Sequence, residues 1–294
     1  MIRRFLTNMC LPMVLLLTGC SDDVGDSILR NPELTVSVTT DNYGEDSKAI
    51  ITSTSLTSGS IGLSMLKGSD DSAYDGKAYN NLQFTYSSSK WSCGTPVYLS
   101  PTSGKVYAYY PYNSSASITA VPIDVSTNND YMYATPVTVS QTSTSAALTM
   151  KHAIACVYVT IKKGTYTGTG TVTAFTWKSA TAGTKATMNA KTGALSSISG
   201  GSNVFNTGVS SLAINTTGNT YSFLVVPTGT AGAVTFNVTM DGKAYAVSTG
   251  STTFSAGKRY NYTVVMDAKE MTIGGVTVTG WTGVTGGSFV PVRQ

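Results

Sequence analysis

Histidine is the scarcest chemical resource in this 294-residue sequence: His152 is its only one. Any Ser-His-Asp or Cys-His hydrolytic arrangement must therefore recruit it. It sits within an alternating apolar run, between Met150 and Ile154, and no Gly-x-Ser-x-Gly elbow accompanies it. That placement describes a packed, hydrogen-bonded structural histidine. Zinc needs several Cys or His ligands, and beyond Cys20 the chain offers His152, Cys93 and Cys156 alone. Asp70-Asp71 with Asp75-Gly76 departs from the calcium-loop spacing and lacks its closing glutamate. It reads as a solvated turn. Only eight acids follow residue 48, mostly beside turns, a poor supply for paired-carboxylate hydrolysis. There is no phosphate loop and no dinucleotide fingerprint. These residues predict no enzyme, no metal and no cofactor.

The chemistry that the spacing does support is covalent and N-terminal. Arg3 and Arg4 precede an apolar run, Leu11–Leu17, too short for the roughly 20 residues a membrane-spanning helix needs. A basic start, a short apolar core and small residues before a cut describe a secretory leader. Leu17-Thr18-Gly19-Cys20 fits the bacterial lipobox, which makes Cys20 the predicted lipidation site. A diacylated thiol plus an N-acyl chain supplies the more than one lipid signal that stable anchoring takes. An exported compartment permits Cys93 and Cys156 to pair, though both neighbourhoods suit buried thiols equally well.

The elements around these residues are strands. Charged residues make up only 12% of the chain, against 17 tyrosines and abundant Ser, Thr and Gly, which favours an all-β protein over a disordered one. Basic residues are scattered without a stripe, so nucleic-acid binding has no footprint. Leu34, Val36 and Val38 alternate with Thr35, Ser37 and Thr39 in a half-buried strand, Glu33–Thr40. A polar turn follows and ends at Lys48-Ala49. Short strands with turn signals between them then recur, the pattern of sandwiches. The longest is Ala147–Lys162, with both faces apolar at its middle. Lys162-Lys163-Gly164 marks a boundary, and Asp241-Gly242 between alternating runs predicts a two-residue type I′ hairpin. Length alone favours two domains of about 130 residues.

Several stretches in order carry a resemblance. They are Ser21-Asp22-Asp23 after the lipobox, the run ending Tyr110-Pro111-Tyr112, Asp130-Tyr131-Met132-Tyr133-Ala134, Leu148 to Ala155, Val225-Val226-Pro227, and Phe254 to Tyr262. With them the chain resembles the fimbrillin (Mfa-like) lipoproteins of Bacteroidales, subunits of type V pili. The resemblance implies two tandem transthyretin-like β-sandwiches after a lipoprotein signal peptide. Its layout is a leader over 1–19, a lipidated propeptide with a removable strand over 20–48, an N-terminal sandwich over 49–163 and a C-terminal sandwich with a donor-strand tail over 164–294.

The same resemblance implies a mechanism. A sandwich lacking one strand exposes unpaired backbone and apolar pockets that accept a donated strand. The removable strand is the one carrying Leu34, Val36 and Val38, and a trypsin-like protease is expected to cut between Lys48 and Ala49. Lysine stands where the family often has arginine; Arg30 is the alternative, and a cut there leaves the strand in place. Ile273, Val276 and Val278 lie in the expected donor strand. The expected partners are other pilin subunits, the maturation protease, the outer membrane through lipid on Cys20, and a host or bacterial surface receptor. The competing reading is a surface-anchored glycan-binding lipoprotein that does not polymerise, with Tyr107, Tyr109 or Tyr112 stacking on sugars.

Overall fold

The computed structural model describes residues 31–41, 55–127, 129–200, 204–206, 208–268, 270–280 and 289–290. Cys20, Arg30, Lys48 and Ala49 lie outside the described residues. The first nine strands are β1 (Thr35–Thr40), β2 (Ser60–Lys67), β3 (Leu82–Ser87), β4 (Lys90–Ser92), β5 (Gly104–Tyr110), β6 (Val121–Asp124), β7 (Met132–Ala134), β8 (Val137–Val139) and β9 (Ser145–His152). Eight of them form one sheet in the order β1-β9-β7-β5-β2-β3-β4, with β8 beside β5. Every pairing in it is antiparallel except β1 with β9. In strand β9 Ala146, Leu148, Met150 and His152 are buried, while the residues between them face out. Its inner face joins Ile61, Leu63, Met65, Phe84, Val106 and Met132 in a first core.

The remaining strands are β10 (Ala155–Lys163), β11 (Thr171–Ser179), β12 (Ala182–Gly183), β13 (Lys185–Asn189), β14 (Ala194–Ser199), β15 (Val204–Asn206), β16 (Leu212–Ala213), β17 (Asn219–Pro227), β18 (Ala231–Met240), β19 (Lys243–Thr253), β20 (Lys258–Met266), β21 (Met271–Gly280) and β22 (Phe289–Val290). A six-stranded sheet runs β12-β17-β10-β20-β21 with β22 beside β17, and a five-stranded sheet runs β15-β11-β18-β19 with β16 beside β11. A second core lies between them, centred on Trp177, which stacks on Phe205 at 4.1 Å and meets the edge of Phe223 at 5.6 Å. Asp241 (φ 47°) and Gly242 (φ 77°) make the expected hairpin between β18 and β19, since both turn positions require positive φ.

The long run Ala147–Lys162 is not one strand. It bends at Ala153-Ile154 and changes sheet, β9 pairing with β1 and β7, and β10 with β17 and β20. The change comes ahead of the Lys162-Lys163-Gly164 turn. Both faces of β10 are apolar because they serve different cores. Ala155, Val157, Val159 and Ile161 enter the second core, whereas Cys156 and Tyr158 pack with Leu224, Val226, Val121, Ile123, Ala186 and Met188 in a third.

That third core has its own sheet, β14-β13-β6, in which β6 from the first half pairs antiparallel with β13 from the second. An ion pair adds to it: Lys191 Nζ lies 2.9 Å from Asp71 Oδ2. The described residues from 31 onward belong to a single compact unit.

Candidate functional site: the first strand and its groove

Strand β1 forms because β-branched residues alternate with threonine and serine on a half-buried pleat. Its register on β9 runs from Thr35 opposite Ser145 to Thr40 opposite Met150, closed by Thr35 N–H to Thr144 O at 2.9 Å and Asp41 N–H to Met150 O at 3.0 Å. A second wall stands on the other side. Leu34 N–H donates to Val97 O and Leu99 N–H donates to Pro32 O, both at 2.8 Å, and Glu33 bridges antiparallel to Tyr98. Thr39 bridges antiparallel to Ser55. Leu34 and Val38 are 5% and 6% exposed in the first core, with Val36 half-buried against it. Each fully buried aliphatic side chain contributes about 1.5–3 kcal/mol relative to exposure. Beneath β1 therefore lies an apolar floor, with the β9 edge along the whole strand on one side and Val97–Leu99 beside its entry at Pro32–Leu34 on the other. The sequence marks the strand; its second wall, Val97–Leu99, carries no motif.

Strand β21 is built differently. It is the edge of the six-stranded sheet and pairs antiparallel with β20 alone. Ile273 is partly buried against the second core, but Val276 and Val278 are 41% and 55% exposed. They line a shallow groove with Thr249–Thr253 of β19 and Tyr260. The residues expected to form a removable strand thus lie at one edge of the first-half sheet, and those expected to form a donor strand at one edge of a second-half sheet.

The remaining candidates are structural groups. His152 Nδ1 lies 3.0 and 2.9 Å from the two carboxylate oxygens of Asp130, with both side chains fully buried. The Arg259 guanidinium sits 5.2 Å above the Tyr158 ring, itself in the third core. Asp71 accepts from Lys191 at 2.9 Å and from the Tyr107 hydroxyl at 3.0 Å. The Lys191 bond, aided by Tyr107, holds the Asp71 carboxyl below its usual range. Burial first, and then Asp71, push the Tyr107 hydroxyl up to about 12. Among the described residues no group of three or more His, Cys, Asp or Glu is placed to hold a metal.

Two expectations need correction. Cys93 and Cys156 are free thiols, not a disulfide. Cys93 packs at the margin of the first core, whereas Cys156 points from β10 into the third, where burial pushes its thiol pKa up. Of the tyrosines offered for sugar stacking, Tyr107 and Tyr109 are 5% and 1% exposed. Tyr109 donates its hydroxyl hydrogen bond to Asn81 Oδ1 (2.7 Å) or Asn113 O (2.9 Å), an interior bracket rather than a binding platform.

A family model described as fimbrillin-like matches residues 48–281. The chain belongs to the fimbrillin-like family. Membership implies a cell-surface protein that assembles with other subunits of its kind. Similar solved structures include a proposed cell adhesion protein of Bacteroides uniformis, 21% identical, with a TM-score of 0.63 over 85% of this chain and 99% of that one. Another, from Bacteroides ovatus, is 15% identical, with a TM-score of 0.65 over 85% and 98%. A third, from Parabacteroides distasonis, is 11% identical, with a TM-score of 0.54 over 88% and 99%. At these identities the likeness is one of fold. No curated protein matches the chain.

Proposed function

We propose that this fimbrillin-like chain is a structural subunit of a cell-surface fimbria, exported as a lipoprotein acylated on Cys20. A trypsin-like cut after Lys48 releases the segment that carries β1, and a neighbouring subunit's C-terminal strand fills the vacated groove. The fibre then serves adhesion. One observation carries the reading: β1 is an edge strand that completes the first core, paired along its length with β9 alone, and Lys48-Ala49 falls in the connection between Asp41 and Ser55 that leads away from it. Losing β1 bares the β9 edge and uncovers the Leu34 and Val38 positions, a surface suited to strand addition. The family match, beginning at residue 48, leaves the leader and β1 outside it.

The test is the N-terminus and intact mass of protein shed from its native surface, together with a Lys48→Ala variant. Unlipidated chains beginning at Ala49, and loss of fibres in the variant, are the expected results. Acylated Cys20 on every molecule in the fibre, or normal fibres from the variant, would sink the mechanism.

A further inference from the structure

Strand β3 has two neighbours, and one of them stops short. It pairs with β2 from Leu82 to Thr85, and with β4 only from Thr85 to Ser87. Strand β4 ends at Ser92, so the ladder stops before Gly94 could come opposite Gln83. There the two segments splay and leave an open cleft of about 600 Å³ between residues 81–85 and 92–95. We propose that this cleft binds a neutral saccharide. Such a site deepens the adhesion reading above, on which its biological role rests, and is independent of strand exchange.

The lining fits that ligand class. Asn81, Gln83, Thr85, Ser92 and Thr95 contribute side-chain amides and hydroxyls, and none of the lining side chains is charged. Sugar hydroxyls both donate and accept, and so do these groups. The backbone adds one more pair. Tyr86 N–H donates to Gly59 O on the β2 side, so by alternation Thr85 and Gln83 turn their N–H and C=O the other way. Thr85 meets Ser92 there, whereas Gln83 faces the cleft. The wall is fixed before any ligand arrives, which lowers the cost of binding. Asn81 (φ 50°) is held by its own N–H to Ser64 Oγ at 3.0 Å, by Nδ2 to Asn113 O at 2.9 Å, and by Oδ1, 2.7 Å from the Tyr109 hydroxyl. Gln83 Nε2 donates to Ser60 Oγ at 3.1 Å, which leaves Oε1 as an acceptor.

Other ligand classes fit less well. An anion or a cation meets no opposite charge on the lining. An acyl chain meets one aliphatic side chain, the half-buried Leu82. A peptide added as a strand needs a run of unpaired backbone. Here β3 offers the single position Gln83, because its next outward position, Thr85, is already paired with β4. No aromatic ring lines the cleft, so stacking contributes nothing and affinity for one sugar is on the order of millimolar. A surface fibre that repeats the cleft in every subunit turns such weak contacts into avidity.

Cys93 supplies the readout: its thiol lines the cleft and is partly exposed, while Cys156 is fully buried and reports unfolding. Maleimide labelling of each thiol in the folded chain is followed by peptide mass. Methyl glucoside, methyl galactoside, methyl mannoside and N-acetylglucosamine are the probes; glucuronate and an uncharged tetrapeptide are the controls. At least one neutral sugar should slow Cys93 labelling saturably, about tenfold at about ten times its Kd, with Cys156 unlabelled throughout. Gly94 is exposed, and a Cβ there would meet nothing within 4 Å. Gly94→Trp should therefore fold, fill the cleft and abolish the protection. Gln83→Leu removes the acceptor and should weaken the sugar about three- to tenfold. Protection by no sugar, equal protection by glucuronate or the peptide, or protection that survives Gly94→Trp overturns the proposal. Fibres of Gly94→Trp that adhere as well as wild type overturn the cleft as the adhesive contact and leave the fimbrial reading standing. Sugar protection in chains that never form fibres upholds the cleft and sinks the fimbrial reading.

Discussion

Strands β1 and β21 are written in the same alphabet and live in opposite circumstances. Each is an edge strand with valine alternating against hydroxyl residues. In β1 the apolar side closes a core, and Leu34 and Val38 are nearly inaccessible. In β21 the apolar side faces the margin of a sandwich, where Tyr260 and Tyr262 of β20 are buried but their cross-strand partners Val278 and Val276 are not. Alternation specifies which face a strand offers, not whether anything covers it. Coverage comes from the opposing sheet.

The comparison breaks most readily in stability. Leu34→Ala in the unprocessed chain should cost about 2–3 kcal/mol, the low end for a buried leucine because the strand is at an edge, whereas Val278→Ala should stay within about 0.5 kcal/mol. Urea unfolding of both variants measures the contrast; equal costs would mean that β1 contributes no core. Assembly should reverse the ranking. Val278→Ala, nearly silent in the folded subunit, should impair fibre formation, and electron microscopy of fibre yield checks it.

Hydrogen exchange sharpens the same contrast. Amides of Thr35–Asp41 should exchange at least about tenfold more slowly than those of Gly275–Thr279, because β1 lies over the first core with Val38 buried, whereas β21 leaves Val276 and Val278 exposed. Comparable protection would remove the distinction between an enclosed strand and an available one.

The smallest effect concerns the Asp71–Lys191 link between the halves. The folded Asp71 carboxyl is held below its usual range by Lys191 and Tyr107. Its contribution is therefore present above the unfolded value of about 3.9 and is lost as pH falls through the folded value. The difference in stability between wild type and Asp71→Asn should accordingly shrink as pH drops below about 4. A difference that persists at lower pH would show that the two chains differ by something other than this charge.

Much of this was legible in the residues. The period-two pattern of residues 34–39 gave β1 its location and its inward face, and Asp241-Gly242 gave a hairpin because two successive positive φ angles leave few residue choices. The lone histidine, mid-strand and without a nucleophile motif, pointed to an interior residue, and it lies fully buried against Asp130.

What the sequence by itself could determine was local: strand periods, turn chemistry, and which residues lack the company that catalysis requires. Only the tertiary structure decided which strands are neighbours. Pattern sees apolar residues from 147 to 162 but not the bend at Ala153-Ile154, because a strand changing sheets keeps its alternation while its partners change. Neither the Val97–Leu99 wall nor the β6–β13 pairing has a signature, since backbone hydrogen bonds between distant segments are blind to side-chain identity. The thiols of Cys93 and Cys156 stay apart because they enter different cores, and spacing along a chain does not say which core each side chain will enter.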